Sequence, residues 1–142
     1  MKSMKSMYTL SIAYLVFGLA AGVFNHEVAY WTHFEGFSVM ARVHPHAIAL
    51  GGAVFLLMPV LMKTFEIQKE KSFGWFVGLY NLGLVMTLGF MTARGVYQLF
   101  QLPMPDFADH MIAGLAGIGH IFLTIGVGFL FHALYRTADK NN

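Results

Sequence analysis

The chain alternates between long apolar runs and short polar breaks, and the runs share one length scale. Four stretches contain no Asp, Glu, Lys or Arg: 7–25, 45–62, 72–93 and 111–135, with 19, 18, 22 and 25 residues. A helix needs about 20 predominantly apolar residues to cross the hydrocarbon of a bilayer. Backbone polar groups find no water there, so each stretch is expected to satisfy them internally as an α-helix. The breaks are short, and no low-complexity tract or repeat separates one part of the chain from another. The pattern predicts an all-α integral membrane protein, a four-helix bundle forming a single transmembrane domain over 1–142.

Charge orients the spans. With a cytoplasmic N-terminus, Lys2, Lys5, Lys63, Lys69, Lys71, Arg136 and Lys140 fall inside, and only Arg42 and Arg94 fall outside. This bias follows the positive-inside rule and predicts that both termini are cytoplasmic in a multi-pass protein of the inner (plasma) membrane. The first span follows basic residues, as a signal peptide does. Its apolar run is long, however, and it is expected to be retained.

Composition narrows the chemistry. The chain is 57% hydrophobic and 11% charged, where a soluble domain is about a quarter charged. Membrane lipid is thus an expected partner, and a net charge of +2 does not suggest nucleic acid. With no cysteine, disulfides, thiolate metal sites, iron–sulfur clusters and thioether-linked haem are excluded. Seven histidines remain as candidate ligands.

Gly18 and Gly22, and Gly74 and Gly78, are spaced one helical turn apart, which allows close approach of helix backbones. Asn81 is the one amide deep inside a span and is expected to donate an interhelical hydrogen bond. His26 and His33 are expected in a wet loop with Glu27 and Glu35. His132, one turn from Arg136, is expected at the inner interface. His120 differs, because an ionisable group inside a span is a functional candidate with a partner to be named. Gly117, one turn earlier, leaves room for something flat beside it, and Thr124, one turn later, is within reach of the imidazole.

Counting from the inner basic residues names the partner's level. Lys63 to His46 is 17 residues, Lys63 to His44 is 19, and Arg136 to His120 is 16. At 1.5 Å per residue, His46 lies within about 2 Å of the depth of His120, and His44 within about 5 Å. Tilt is enough to remove either difference. Imidazoles from facing helices at one level are how a bundle holds b-type haem. Arg42 and Arg94 lie above that level, where guanidinium groups suit the haem propionates.

The motif RVHPHAIALGGAVF, 42–55, resembles the second helix of subunit I of haem–copper oxidases, in the nitric oxide reductase and cbb-type branch. YTLSIAYLVFGLAAGVF resembles the first helix of that subunit. GLAGIGHIFLTIG resembles the small-residue setting of the distant helix that supplies the other low-spin haem ligand. Small four-helix bacterial membrane proteins of unknown function share this pattern. The resemblance implies His44 as the ligand on the second span, whereas the depth count favours His46. The two lie far apart around a helix, so one iron takes only one of them. The resemblance also implies a homotrimer, four helices per chain rebuilding a twelve-helix core. The adjacent His-His pair of the oxidase copper site is missing, and no carboxylate lies in a span.

The resulting expectation is non-covalent haem b near the outer face, held by two histidines. Two axial ligands suit an electron carrier better than a complete oxidase. Quinol or another redox protein is the expected electron partner. The alternatives are a copper or zinc site built from the outer histidines, and a structural subunit without a cofactor.

Overall fold

A computed structural model describes residues 3–138. Four helices account for nearly all of them, and no strand occurs among the described residues. They are α1 (Met4–Trp31), α2 (Met40–Phe65), α3 (Lys71–Leu99) and α4 (Asp106–Ala138), each long and apolar enough to cross a membrane. Lys2 and Lys140 lie outside the described residues.

Each helix outruns its uncharged core, because a charge ends the hydrocarbon and not the hydrogen-bond ladder. α1 begins at an N-cap, Ser3, whose side chain accepts from the Ser6 N–H at 3.2 Å, and this satisfies one of the orphan donors of the first turn. The helix continues through His26 and Glu27 to Trp31, so His26 is helical and exposed where a loop was expected. His33 does lie in the connection, at a φ of 51°. α2 already begins at Met40, which places Arg42, His44 and His46 on a helix. α4 starts after Pro105 with Asp106 and Asp109 in its first turn, where carboxylates complement the helix dipole.

Neighbouring helices are antiparallel. Ser11 Oγ donates to the Gly52 carbonyl at 2.8 Å, and His44 Nδ1 lies 3.0 Å from the Gly18 carbonyl, so α1 and α2 run in opposite directions. Ser38 Oγ donates to the Gly95 carbonyl and the Val39 N–H to Gln98 Oε1, which ties the start of α2 to the end of α3. α3 and α4 pack closest of all. A Cβ on Gly83 would stand 2.5 Å from the Gly119 carbonyl oxygen, so only glycine permits that crossing. Lys5, Lys63, Lys71 and Arg136 thus share one end of the molecule, the basic end, and Arg42 and Arg94 lie toward the other, the far end.

The expected bundle is not closed. α1 packs on α2, α2 on α3 and α3 on α4, but α1 and α4 do not meet among the described residues. The result is a staggered strip. α3 is central, with 44% of its apolar window buried, and α4 is peripheral, with 17%. The core lies at the junction of α1, α2 and α3, where Phe55, Phe73, Phe76, Tyr80 and Leu84 are buried. Phe55 stacks on Tyr14 and meets Tyr80 edge-on.

The two glycine pairs have different fates. A Cβ on Gly18 or Gly22 would press on Ile48, Ala47 or His44, so this face is already used inside the chain and is not free for a second copy. Gly74 and Gly78 meet nothing within 4 Å.

Candidate functional site

α2 is not uniform. Its first turns, Met40–His46, are α-helical, Ala47–Ala53 form a π-helix, and Val54–Phe65 are α-helical again. A π-turn widens the helix and leaves carbonyls without their usual partners, and such turns concentrate at functional sites. Two of these carbonyls have side-chain donors from neighbouring helices: Tyr80 OH to Leu50 O at 2.9 Å, and Ser11 Oγ to Gly52 O. Gly51 and Gly52 let Tyr14 and Leu15 sit directly on the wide turn. The histidines immediately precede this stretch, so the π-turn sets where they point.

His44 and His46 point to different neighbours. The half-buried ring of His44 lies on α1, with Nδ1 against Gly18 O and the ring over Gly22. The ring of His46 faces α4, where it meets His120 edge-on with centroids 6.4 Å apart and planes at 85°. The structure therefore brings His46 to His120 and sets His44 apart from both.

The hydrogen bonds fix the tautomers. His46 Nδ1 is 2.8 Å from Arg42 O, and His120 Nδ1 is 2.9 Å from Ala116 O. A carbonyl only accepts, so Nδ1 carries a proton in both rings, and in a neutral ring the lone pair then lies on Nε2. A backbone carbonyl in this position is a familiar orienting partner for a metal-ligating histidine. His44 has the same arrangement against Gly18 O.

Backbone does not fill the space between these rings. The Cα atoms of Met40–Ala53 stay more than 8 Å from those of α4. Side chains therefore make the contact between these two segments, and the rings of His46 and His120 meet there. His120 is exposed, as is Gly117 one turn before it, with no atom within 4 Å of where a Cβ would stand. Thr124 donates to the His120 carbonyl at 2.9 Å and not to the imidazole.

The two far-end arginines differ. Arg42 is exposed, with its guanidinium 4.7 Å over the ring of Phe37. Arg94 is already paired: Nε donates to Asp109 Oδ1 at 2.6 Å and an Nη to Oδ2 at 2.7 Å. This bidentate bridge joins the end of α3 to the start of α4, and the sequence reading did not contain it. Among the described residues, no three His, Asp or Glu side chains converge as a metal-ion set.

Asn81 departs from its expected role. Its Oδ1 accepts from the Tyr14 hydroxyl, so the amide acts as an acceptor in this contact. The sequence reading also missed the Ser11 and Tyr80 donors. Their signals were weak: a serine in an apolar run, and a tyrosine at the depth of a Gly-Gly pair.

Residues 4–137 match a family model described as a protein of unknown function (DUF2871). The chain belongs to the DUF2871 family. No curated protein and no solved structure matches it. The matched range runs from the first residue of α1 to the last turn of α4, so the whole strip, including the cleft with His46 and His120, lies inside the family domain.

Proposed function

We propose that this DUF2871 protein binds b-type haem between α2 and α4, where the imidazoles of His46 and His120 would hold the iron. The observation that carries this is the facing imidazole pair. The ring centres are 6.4 Å apart, a separation that would admit one metal ion at bonds of about 2 Å to each imidazole. Both rings hold the tautomer a metal needs, and both are oriented by backbone carbonyls. The open cleft and Gly117 leave room for a flat macrocycle. Bound haem would supply one-electron redox chemistry, and two histidine ligands leave no open coordination position, so the reading is an electron carrier rather than an oxidase.

The chain's own residues divide the remaining work. Arg42 begins the turn that carries His46 and, among the described residues, is the far-end arginine with no carboxylate partner, whereas Asp109 already compensates Arg94; Arg42 is therefore the one assigned to a propionate. A copper or zinc site takes three or four protein ligands, and the pair offers two, which favours haem. The orientation with both termini cytoplasmic in the inner membrane rests on the segregation of basic residues. A homotrimer is proposed as the assembly. Among the described residues, a Cβ on Gly74 or Gly78 would meet nothing within 4 Å, which leaves that close-packing pair available to a second copy.

The test is the absorption spectrum of the detergent-purified full chain, expressed with haem supply. A Soret band that sharpens and shifts on reduction, with a low-spin six-coordinate signature, is expected. Stoichiometric copper or zinc without that band supports the metal alternative. Neither cofactor supports a structural subunit.

A further inference from the structure

The opposite side of the strip holds a second recess. α1 and α3 leave a cavity of about 510 Å³ between them, lined by Leu10, Tyr14, Phe17, Val85, Leu88 and Asn81, with Gly89 at its wall. That volume lies within the usual range for small-molecule sites, which are mostly apolar with a few placed polar groups. Here the placed polar group is an amide. The Tyr14 hydroxyl donates to Asn81 Oδ1, which leaves Nδ2 as the end of the amide without a protein acceptor among the described residues. Asn81 is ten residues into α3 from Lys71, and Tyr14 nine from Lys5. At 1.5 Å per residue both lie roughly 15 Å from the basic end, near the middle of a hydrocarbon layer of about 30 Å. An unpaired amide N–H at that depth is costly unless a ligand accepts from it. A second recess of about 460 Å³ shares Leu10 and Asn81 with the first and runs down to Lys5, Ser6 and Thr9. The groove is thus apolar beyond Asn81 and polar between Asn81 and the basic end.

We propose that this groove is a binding site for a membrane quinone, with the ring in the apolar cavity beside Tyr14 and Phe17 and one ring carbonyl accepting from Asn81 Nδ2. A phospholipid fits less well. Its ester carbonyls sit at the interface, roughly 15 Å from Asn81, and its acyl chains carry no acceptor. A quinone ring is flat, apolar and bears carbonyls at mid-membrane depth. The site shares no residue with the His46–His120 cleft, so it stands or falls separately from haem binding.

The experiment uses the full chain in lipid nanodiscs, titrated with decyl-ubiquinone and followed by calorimetry. Saturable binding at one site per chain is expected. Asn81→Leu should weaken it at least tenfold. Gly89→Phe should abolish it by filling the cavity, while leaving the fold intact, because a Cβ on Gly89 meets nothing within 4 Å. Three results would overturn the proposal: no saturable binding to the wild type; unchanged binding in both variants when each retains wild-type helicity and monodispersity; or a co-purified phospholipid in the groove that the quinone does not displace.

Discussion

The rings of His46 and His120 meet edge-on, 6.4 Å between centres, where the Cα atoms of Met40–Ala53 stay more than 8 Å from those of α4. Packing alone does not require this. Well-packed membrane helices approach through small residues, and the α3–α4 crossing at Gly83 and Gly119 shows that this chain makes such contacts where it needs them. Between α2 and α4 the far half makes no such close backbone approach, and the His46 and His120 rings bridge the two helices there.

His46→Ala and His120→Ala should each remove haem or convert it to a five-coordinate form, while His44→Ala should keep a six-coordinate spectrum, shifted at most. Electronic absorption and electron paramagnetic resonance of the three variants check this. The opposite pattern for His44 and His46 would mean that the oxidase-like register governs and that the helix rotates about its axis when haem binds.

Arg42→Leu should weaken haem retention and move the midpoint potential more than Arg94→Leu does. A propionate that loses its cation keeps a poorly compensated charge, whereas Arg94 is already paired with Asp109. The Arg94–Asp109 bridge is partly exposed at 31% and 33%, so Asp109→Asn should lower stability only slightly. Comparing haem-transfer rates to apomyoglobin for the two arginine variants separates them. Equal effects would remove the distinction.

Deleting one residue from Ala47–Ala53 should convert the π-turn to an α-turn that absorbs the deletion, because the wide turn holds one residue more than an α-turn. His46 should stay near His120, and the haem spectrum should persist, shifted at most, in the absorption of the purified variant. Tyr80→Phe, which removes the donor to Leu50 O, should cost about 0.5–1.5 kcal/mol in a membrane unfolding assay, the scale of interhelical hydrogen bonds. No loss of stability would show that the Leu50 carbonyl finds another partner.

Gly119→Ala should destabilise the α3–α4 pair, because a Cβ there would stand 2.5 Å from Thr87 Oγ1 and 2.8 Å from Gly83 O. Overpacking of this kind costs roughly 1–3 kcal/mol. Gly74→Leu and Gly78→Leu should leave the single chain intact and weaken self-association. Native mass spectrometry from mild detergent reads both. A trimer undisturbed by the Gly74 and Gly78 variants would place its interface elsewhere.

The number of helices and their centres were legible in the sequence, because the four uncharged runs are long and the breaks between them short. The helix ends were not. α1 continues past His26 and Glu27, and α2 begins before Arg42, since leaving the hydrocarbon does not require leaving the helix. The levels of His46 and His120 followed from residue counting. The choice between His44 and His46 depended on rotation, which Gly18 and Gly22 decide by seating His44 on α1. The π-turn was not legible: Ala47–Ala53 read as an ordinary apolar stretch with a Gly-Gly pair. The Arg94–Asp109 bridge was missed because both residues lie beyond the uncharged runs, on opposite sides of a connection.

The strip order has a bearing on biosynthesis. Among the helices already made, each new one packs chiefly on its immediate predecessor, and the first never meets the last among the described residues. A chain leaving the ribosome can therefore dock each new span on its predecessor without waiting for a distant partner. His46 enters the membrane early and has no ring opposite it until α4 follows. The His46–His120 pair is completed only when α4 inserts, so a chain truncated before α4 would carry three packed helices and only one of the two facing histidines.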